Sequence, residues 1–196
     1  SADNIILTRR KLESLSELAN TGFQTSINNA SAVQNAEIIL LTVLPSQLMD
    51  LLDDISSILS ENHLLISIVS GVSIAQIQEK VGKNIPIIRA MPNTAAVLCE
   101  SMTCLASPPQ FVQKLKTAQT LFEKIGTTLL IDETQMASAT ALCACGVAFF
   151  LRAIRAASQG GIEIGFHSDE AFTIAAQTAR GAATLLLDND SHPEAE

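Results

Sequence analysis

Short runs of Ile, Leu and Val recur along the first two thirds of the chain, separated by polar, helix-like segments. "NIILT" (4–8), "EIILLTV" (37–43), "HLLISIV" (63–69), "IPIIRA" (85–90) and "TTLLI" (127–131) read as strands. They are near-continuous rather than alternating, the pattern of parallel strands covered on both faces. Between them "RKLESLSELAN", "PSQLMDLLDDISSILS", "SIAQIQEKVG" and "PPQFVQKLKTAQTLFEKIG" carry apolar residues at helical spacing. This βαβ repetition predicts an α/β domain, a doubly wound Rossmann-type parallel sheet with right-handed crossovers.

From about residue 132 the pattern changes. "ETQMASATALCACGVAFFLRAIRAAS" (133–158) is Ala-rich and apolar around most of its circumference, which predicts a buried helix. A second helix, "SDEAFTIAAQTARGAATLLL" (168–187), opens on Ser168 as N-cap with acids in its first turn. Two such helices cannot cover each other in so short a piece, so a partner subunit is the natural cover. The expected division is residues 1–131, the nucleotide-binding domain, and 132–196, an all-helical dimerisation and substrate domain.

Composition narrows the class. With 47% hydrophobic and 16% charged residues, the 196-residue chain has ample material for a core. The net charge of -8 argues against a nucleic-acid or anionic-membrane surface. No apolar stretch is expected to be long and charge-free enough to span a bilayer, and no signal peptide opens the chain. Cys99, Cys104, Cys143 and Cys145 form neither a disulfide framework nor a zinc pattern, so no metal is expected. Reduced thiols and a cytoplasmic location follow.

Several loops fall where a parallel sheet presents its carboxyl edge. Thr8, Arg9 and Arg10 follow the first strand, with no acid between 4 and 12. At that place an acid suits the free 2′-hydroxyl of NAD, and arginine suits the 2′-phosphate of NADP. A solvated basic helix start is the plainer alternative. "TVLPSQ" (42–47) and "SGVS" (70–73) leave the next strong strands. "RAMPNTAA" (89–96) leaves another: Pro92 keeps Met91 extended and holds Asn93 and Thr94 at a helix start, where Asn93 serves a ligand or simply caps a helix.

Taken together, "IIRAMPNTAAVLCESMTCL" and "TALCACGVAFFLRAIRAASQGGIEIGFHSDEAFTIAAQTARGAATLLL" resemble pyrroline-5-carboxylate reductase over nearly all 196 residues. "SHP" (191–193) also matches that family's His-Pro. The resemblance implies reduction of the cyclic imine 1-pyrroline-5-carboxylate to L-proline in proline biosynthesis. NADP(H) is the first cofactor it implies and NAD(H) the second, in a homodimer or larger homo-oligomer. It places Thr8, Arg9 and Arg10 by the adenosine 2′ position and Asn29 on the adenine side. Thr42, Val43, Leu44 and Pro45, with Ile68, Val69 and Ser70, would line the cofactor, and Asn93 would sit near the nicotinamide. Glu133, Cys145 and Gly146 would stand by the substrate; no residue is assigned as catalytic.

Departures from the family pattern accompany these matches. Residues 144–148 read Ala-Cys-Gly-Val-Ala where the family has Gly-Ser-Gly-Pro-Ala, and Leu44 replaces a lysine. The family's first strand and G-x-G-x-x-G loop have no counterpart in these residues, nor has its Pro-Gly-Gly-Thr-Thr loop; Gly22 is the only glycine before 71. The 196 residues alone are therefore expected to bind NADPH poorly and to lack reductase activity. Two alternatives stay open: a non-catalytic reductase-like dimer, and a related hydroxyacid dehydrogenase. The second would need a lysine within 133–159, and there is none.

Overall fold

The computed structural model describes residues 2–188 and divides into two units, 1–144 and 145–196. In the first unit the strands are β1 (Ile6–Thr8), β2 (Gln24–Ser26), β3 (Ile38–Leu41), β4 (Leu64–Ser67), β5 (Ile87–Met91), β6 (Ser101–Ala106) and β7 (Gly126–Leu130). β1 and β2 pair in parallel as a separate ribbon. The other five form one sheet in the order β3-β4-β5-β6-β7. Its helices are α1 (Ser16–Asn20), α2 (Asn29–Gln34), α3 (Pro45–Ile55), α4 (Ile74–Val81), α5 (Val112–Phe122) and α6 (Met136–Ala139).

Helices cover both faces of the sheet, and that explains the unbroken apolar runs. Leu65 and Ile87 face a cluster with Leu48, Leu52 and Ile55 of α3 and Ile77 and Val81 of α4. Leu64, Ile66, Ile88 and Ala90 face the other way, against Leu115, Ala118 and Phe122 of α5. Neighbouring residues point to opposite faces, and along β4 and β5 both faces are dry, whereas Ile38 and Leu40 of β3 and Leu129 and Leu130 of β7 stay exposed. Leu48, Leu52 and Ile55 recur at helical spacing and are at most 1% exposed, so α3 is held by its buried stripe. α4 adds a capping box: Ser73 Oγ accepts the Gln76 N–H at 3.2 Å and Gln76 Oε1 accepts the Ser73 N–H at 2.8 Å.

One strand corrects the all-parallel expectation. β6 pairs antiparallel to β5, with Arg89 opposite Ala106 and Met91 opposite Cys104, while β6 and β7 are parallel. Residues 92–100 are too few for a crossover, so the chain can only turn back. The pattern missed β6 because Ser101 and Thr103 are polar, yet they are 1% and 0% exposed. Their hydroxyls bond to each other at 3.3 Å, and Ser101 Oγ accepts the Asn93 N–H at 3.1 Å. β7 starts at Gly126 (φ +144°), where a Cβ would overlap the Ser101 backbone.

The single helix expected over 133–158 is also corrected. Residues 133–135 form a 3-10 turn, α6 follows, and Thr140–Ala144 make a π-helical turn. In the second unit α7 (Gly146–Glu163) and α8 (Ser168–Asp188) pack together, Gly161 lying so close to Ala171 that a Cβ there would stand 3.0 Å from the alanine's. α7 is not buried within the chain: Phe149, Phe150 and Leu151 are 62%, 68% and 60% exposed. Nor does the expectation of no membrane-length stretch hold. Glu133–Glu163 is long and apolar enough by length and composition to cross a bilayer, since no charged residue falls between Glu133 and Arg152.

Candidate functional site

The loops that leave β1, β3, β4 and β5 carry most of the predicted site. After β1, Thr8, Arg9 and Arg10 are exposed, and neither guanidinium makes an ion pair among the described residues. The Arg9 N–H donates to Ser26 O at 3.2 Å, which joins this turn to the end of β2. Asn28 caps α2, its Oδ1 accepting the Ser31 N–H at 2.9 Å. Asn29 is half-buried as the first helical residue.

After β3, Thr42 and Leu44 are exposed and Val43 is half-buried. Pro45 opens α3, where its missing N–H costs nothing. Gln47 Oε1 accepts the Leu44 N–H at 3.2 Å and fixes the entry to the helix. After β4, Ile68 is half-buried and Ser70 exposed, whereas the Val69 side chain belongs to the α3–α4 core. Only the Val69 backbone can face a ligand. Gly71 (φ +78°) then turns the chain into α4.

The end of β5 is bonded on several sides. Asn93 Oδ1 accepts the Ala95 N–H at 3.0 Å and so caps the 3-10 turn Thr94–Leu98. Its Nδ2 donates to Cys143 O at 3.3 Å, tying the strand end to the π turn. Asn93 is thus a cap and a tether at once. Glu133 Oε1 accepts the Ile74 N–H at 2.6 Å and lies 3.4 Å from Arg89 Nη1. Sequence reading gave Arg89 no role, although it stands as a charge in the apolar run of β5.

Cys143 packs with Met91, Cys104, Ala106 and Met136. Its Sγ donates to Met102 O at 2.8 Å. Burial pushes the thiol up from 9.0 to about 11, and the neighbouring Cys104 adds to it. In the second unit Cys145 is exposed and Gly146 buried at the start of α7. Among the described residues no group of His, Cys, Asp or Glu gathers to hold a metal. The His-Pro of 192–193 lies outside the described residues.

Comparison with known proteins gives this arrangement a family. Residues 1–71 match the family described as NADP oxidoreductase, coenzyme F420-dependent, and residues 133–196 match pyrroline-5-carboxylate reductase dimerisation. The two matched segments divide as the fold does, the first in the Rossmann-type α/β part and the second in the helical part. Over its whole length the chain is 48% identical to pyrroline-5-carboxylate reductase 1 and 44% identical to pyrroline-5-carboxylate reductase 2 of Dictyostelium discoideum. It spans 38% of the first and 71% of the second. A Coxiella burnetii pyrroline-5-carboxylate reductase structure superposes with TM-score 0.92 at 27% identity, covering 98% of this chain and 73% of that one. The Plasmodium falciparum pyrroline carboxylate reductase with NADP bound shares the fold, with TM-score 0.85 at 24% identity over 99% of this chain and 76% of that one. The chain belongs to the pyrroline-5-carboxylate reductase family.

Proposed function

We propose that the protein reduces 1-pyrroline-5-carboxylate to L-proline with NADPH, NADH serving less well. The observation that carries this reading is the 48% and 44% identity to two named reductases across the full chain. Arg9 and Arg10, without an ion pair among the described residues, fit a 2′-phosphate, since guanidinium groups pair with phosphate through two parallel N–H donors. When bound, the dinucleotide supplies a hydride to the C=N carbon.

The chain's own residues supply binding and orientation. Asn29 would meet the adenine, and Thr42 to Pro45 with Ile68 to Ser70 would border the rest of the dinucleotide. Asn93, anchored to the 3-10 and π turns, would hold the nicotinamide end. Glu133 would hold the protonated imine nitrogen by charge, with Cys145 and Gly146 beside the substrate. We place the division of labour near residue 132, supported by the family match that begins at 133.

The same reading includes a homodimer made through α7 and α8, supported by the exposed Phe149, Phe150 and Leu151 and by the dimerisation match. The activity test is NADPH oxidation by the full-length protein with the imine, proline being identified as product. Silence in that assay, from a folded dimer, favours a non-catalytic relative.

A further inference from the structure

Arg89 has no part in the contacts proposed above, yet it is only 8% exposed, in a strand with sheet neighbours on both sides. A buried guanidinium is costly unless a charge partner is held in place. Ile87 and Met91 share its face of β5. Ile87 belongs to the α3–α4 core and Met91 to the cluster with Met136 and Cys143. Arg89 therefore lies at the seam between these two clusters.

Glu133 is its partner, and one oxygen serves two donors. Oε1 accepts the first amide of α4, Ile74 N–H at 2.6 Å, and faces Arg89 Nη1 at 3.4 Å. Oε2 takes no hydrogen bond among the described residues, and the side chain stays 32% exposed. α4 itself follows the Ser70–Ser73 loop, so the same carboxylate ties that loop's helix to the segment before α6. Two donors on one oxygen restrict the turning of the carboxylate and bias its second oxygen away from both of them.

We propose that Arg89 is a positioning residue. With the Ile74 N–H it locks Oε1 of Glu133, leaving Oε2 to accept a hydrogen bond from a cationic N–H of the imine substrate. The substrate half of this proposal rests on the function proposed above. The structural half, a clasp between β5, α4 and Glu133, does not.

The test uses full-length protein with Arg89→Met, Arg89→Lys, Glu133→Gln and the Arg89→Met/Glu133→Gln double variant. Arg89→Met should raise KM for the imine on the order of tenfold and leave KM for NADPH within about twofold. Arg89→Lys should recover part of the loss, and the double variant should be no worse than its poorer single parent. Losses that multiply, or an equal rise in both KM values, would overturn the positioning role. The Ile74 amide proton shift, read by NMR, reports the clasp without turnover. It should move in Glu133→Gln and also in Arg89→Met. An Ile74 signal unmoved in Arg89→Met overturns the clasp whatever the activity. Wild-type protein that ignores the imine while Ile74 moves as expected overturns the function and the substrate half alone. Should Arg89→Met fail to fold, Arg89→Lys and Glu133→Gln carry both readouts.

Discussion

Cys143 and Cys145 are two positions apart in sequence and opposite in chemistry. Cys143 is buried with its thiol raised to about 11, whereas Cys145 is exposed. A thiol reagent near pH 8 should therefore label Cys145 and the exposed Cys99 well before Cys143, as mass spectrometry of a short pulse would show. The raised value also has a stability consequence. The folded state holds the Cys143 proton more tightly than the unfolded chain does. That contribution is fully present below pH 9.0 and is lost as pH rises towards about 11. Urea titrations should show stability falling across that window, and falling less in Cys143→Ala. For Arg9 and Arg10, replacement of both by alanine should raise the NADPH Kd on the order of tenfold and leave that of NADH within about twofold. Equal losses would remove the arginines from the 2′-phosphate.

Among the elements, Gly126 shows how backbone crowding overrides propensity. With φ at +144° and the Ser101 backbone in the way, Gly126→Ala must distort the β6–β7 pairing. A cost on the order of 2–3 kcal/mol is expected in urea unfolding, larger than for an exposed Gly→Ala. The strands buried on both faces, β4 and β5, were legible because each reads as an apolar run, and β3 was legible by the same run although Ile38 and Leu40 stay exposed. β6 was not: Ser101 and Thr103 are buried through hydroxyl bonds that no hydropathy pattern records. β2 is three residues of Gln, Thr and Ser and left no signal. The site was legible in part. Asn93 and Arg9 stood out by position, but the Arg89–Glu133 contact joins residues 44 apart and needed the fold to bring them together. Asn28, the cap of α2, was given no part in the sequence reading.

For the whole molecule, α7 is the element on which the proposed dimer turns. Its Phe149, Phe150 and Leu151 are exposed in one chain, and burying apolar surface is worth about 25 cal/mol per Å². Sedimentation at micromolar concentration should show a homodimer, and Phe149→Asp with Phe150→Asp should shift it to monomer or cost the fold. A stable wild-type monomer would leave those side chains unexplained. The longer stretch Glu133–Glu163, which contains α7, has the length and hydropathy of a membrane span, so detergent-free purification of the dimer separates the two fates of that stretch.

The turn back from β5 into β6 sets an order of events as the chain folds. Met91 and Cys104 pair across a shorter stretch of chain than the facing residues of any other strand pair among the described residues. Short loops close at the least entropic cost, so this pairing can form before the longer crossovers are complete. The Asn93–Ser101 bond lies inside that early piece. Conservative changes at Ser101 should slow refolding more than they speed unfolding, with changes in the α3 stripe doing the reverse. The segment proposed to hold the nicotinamide would then also be where the fold begins.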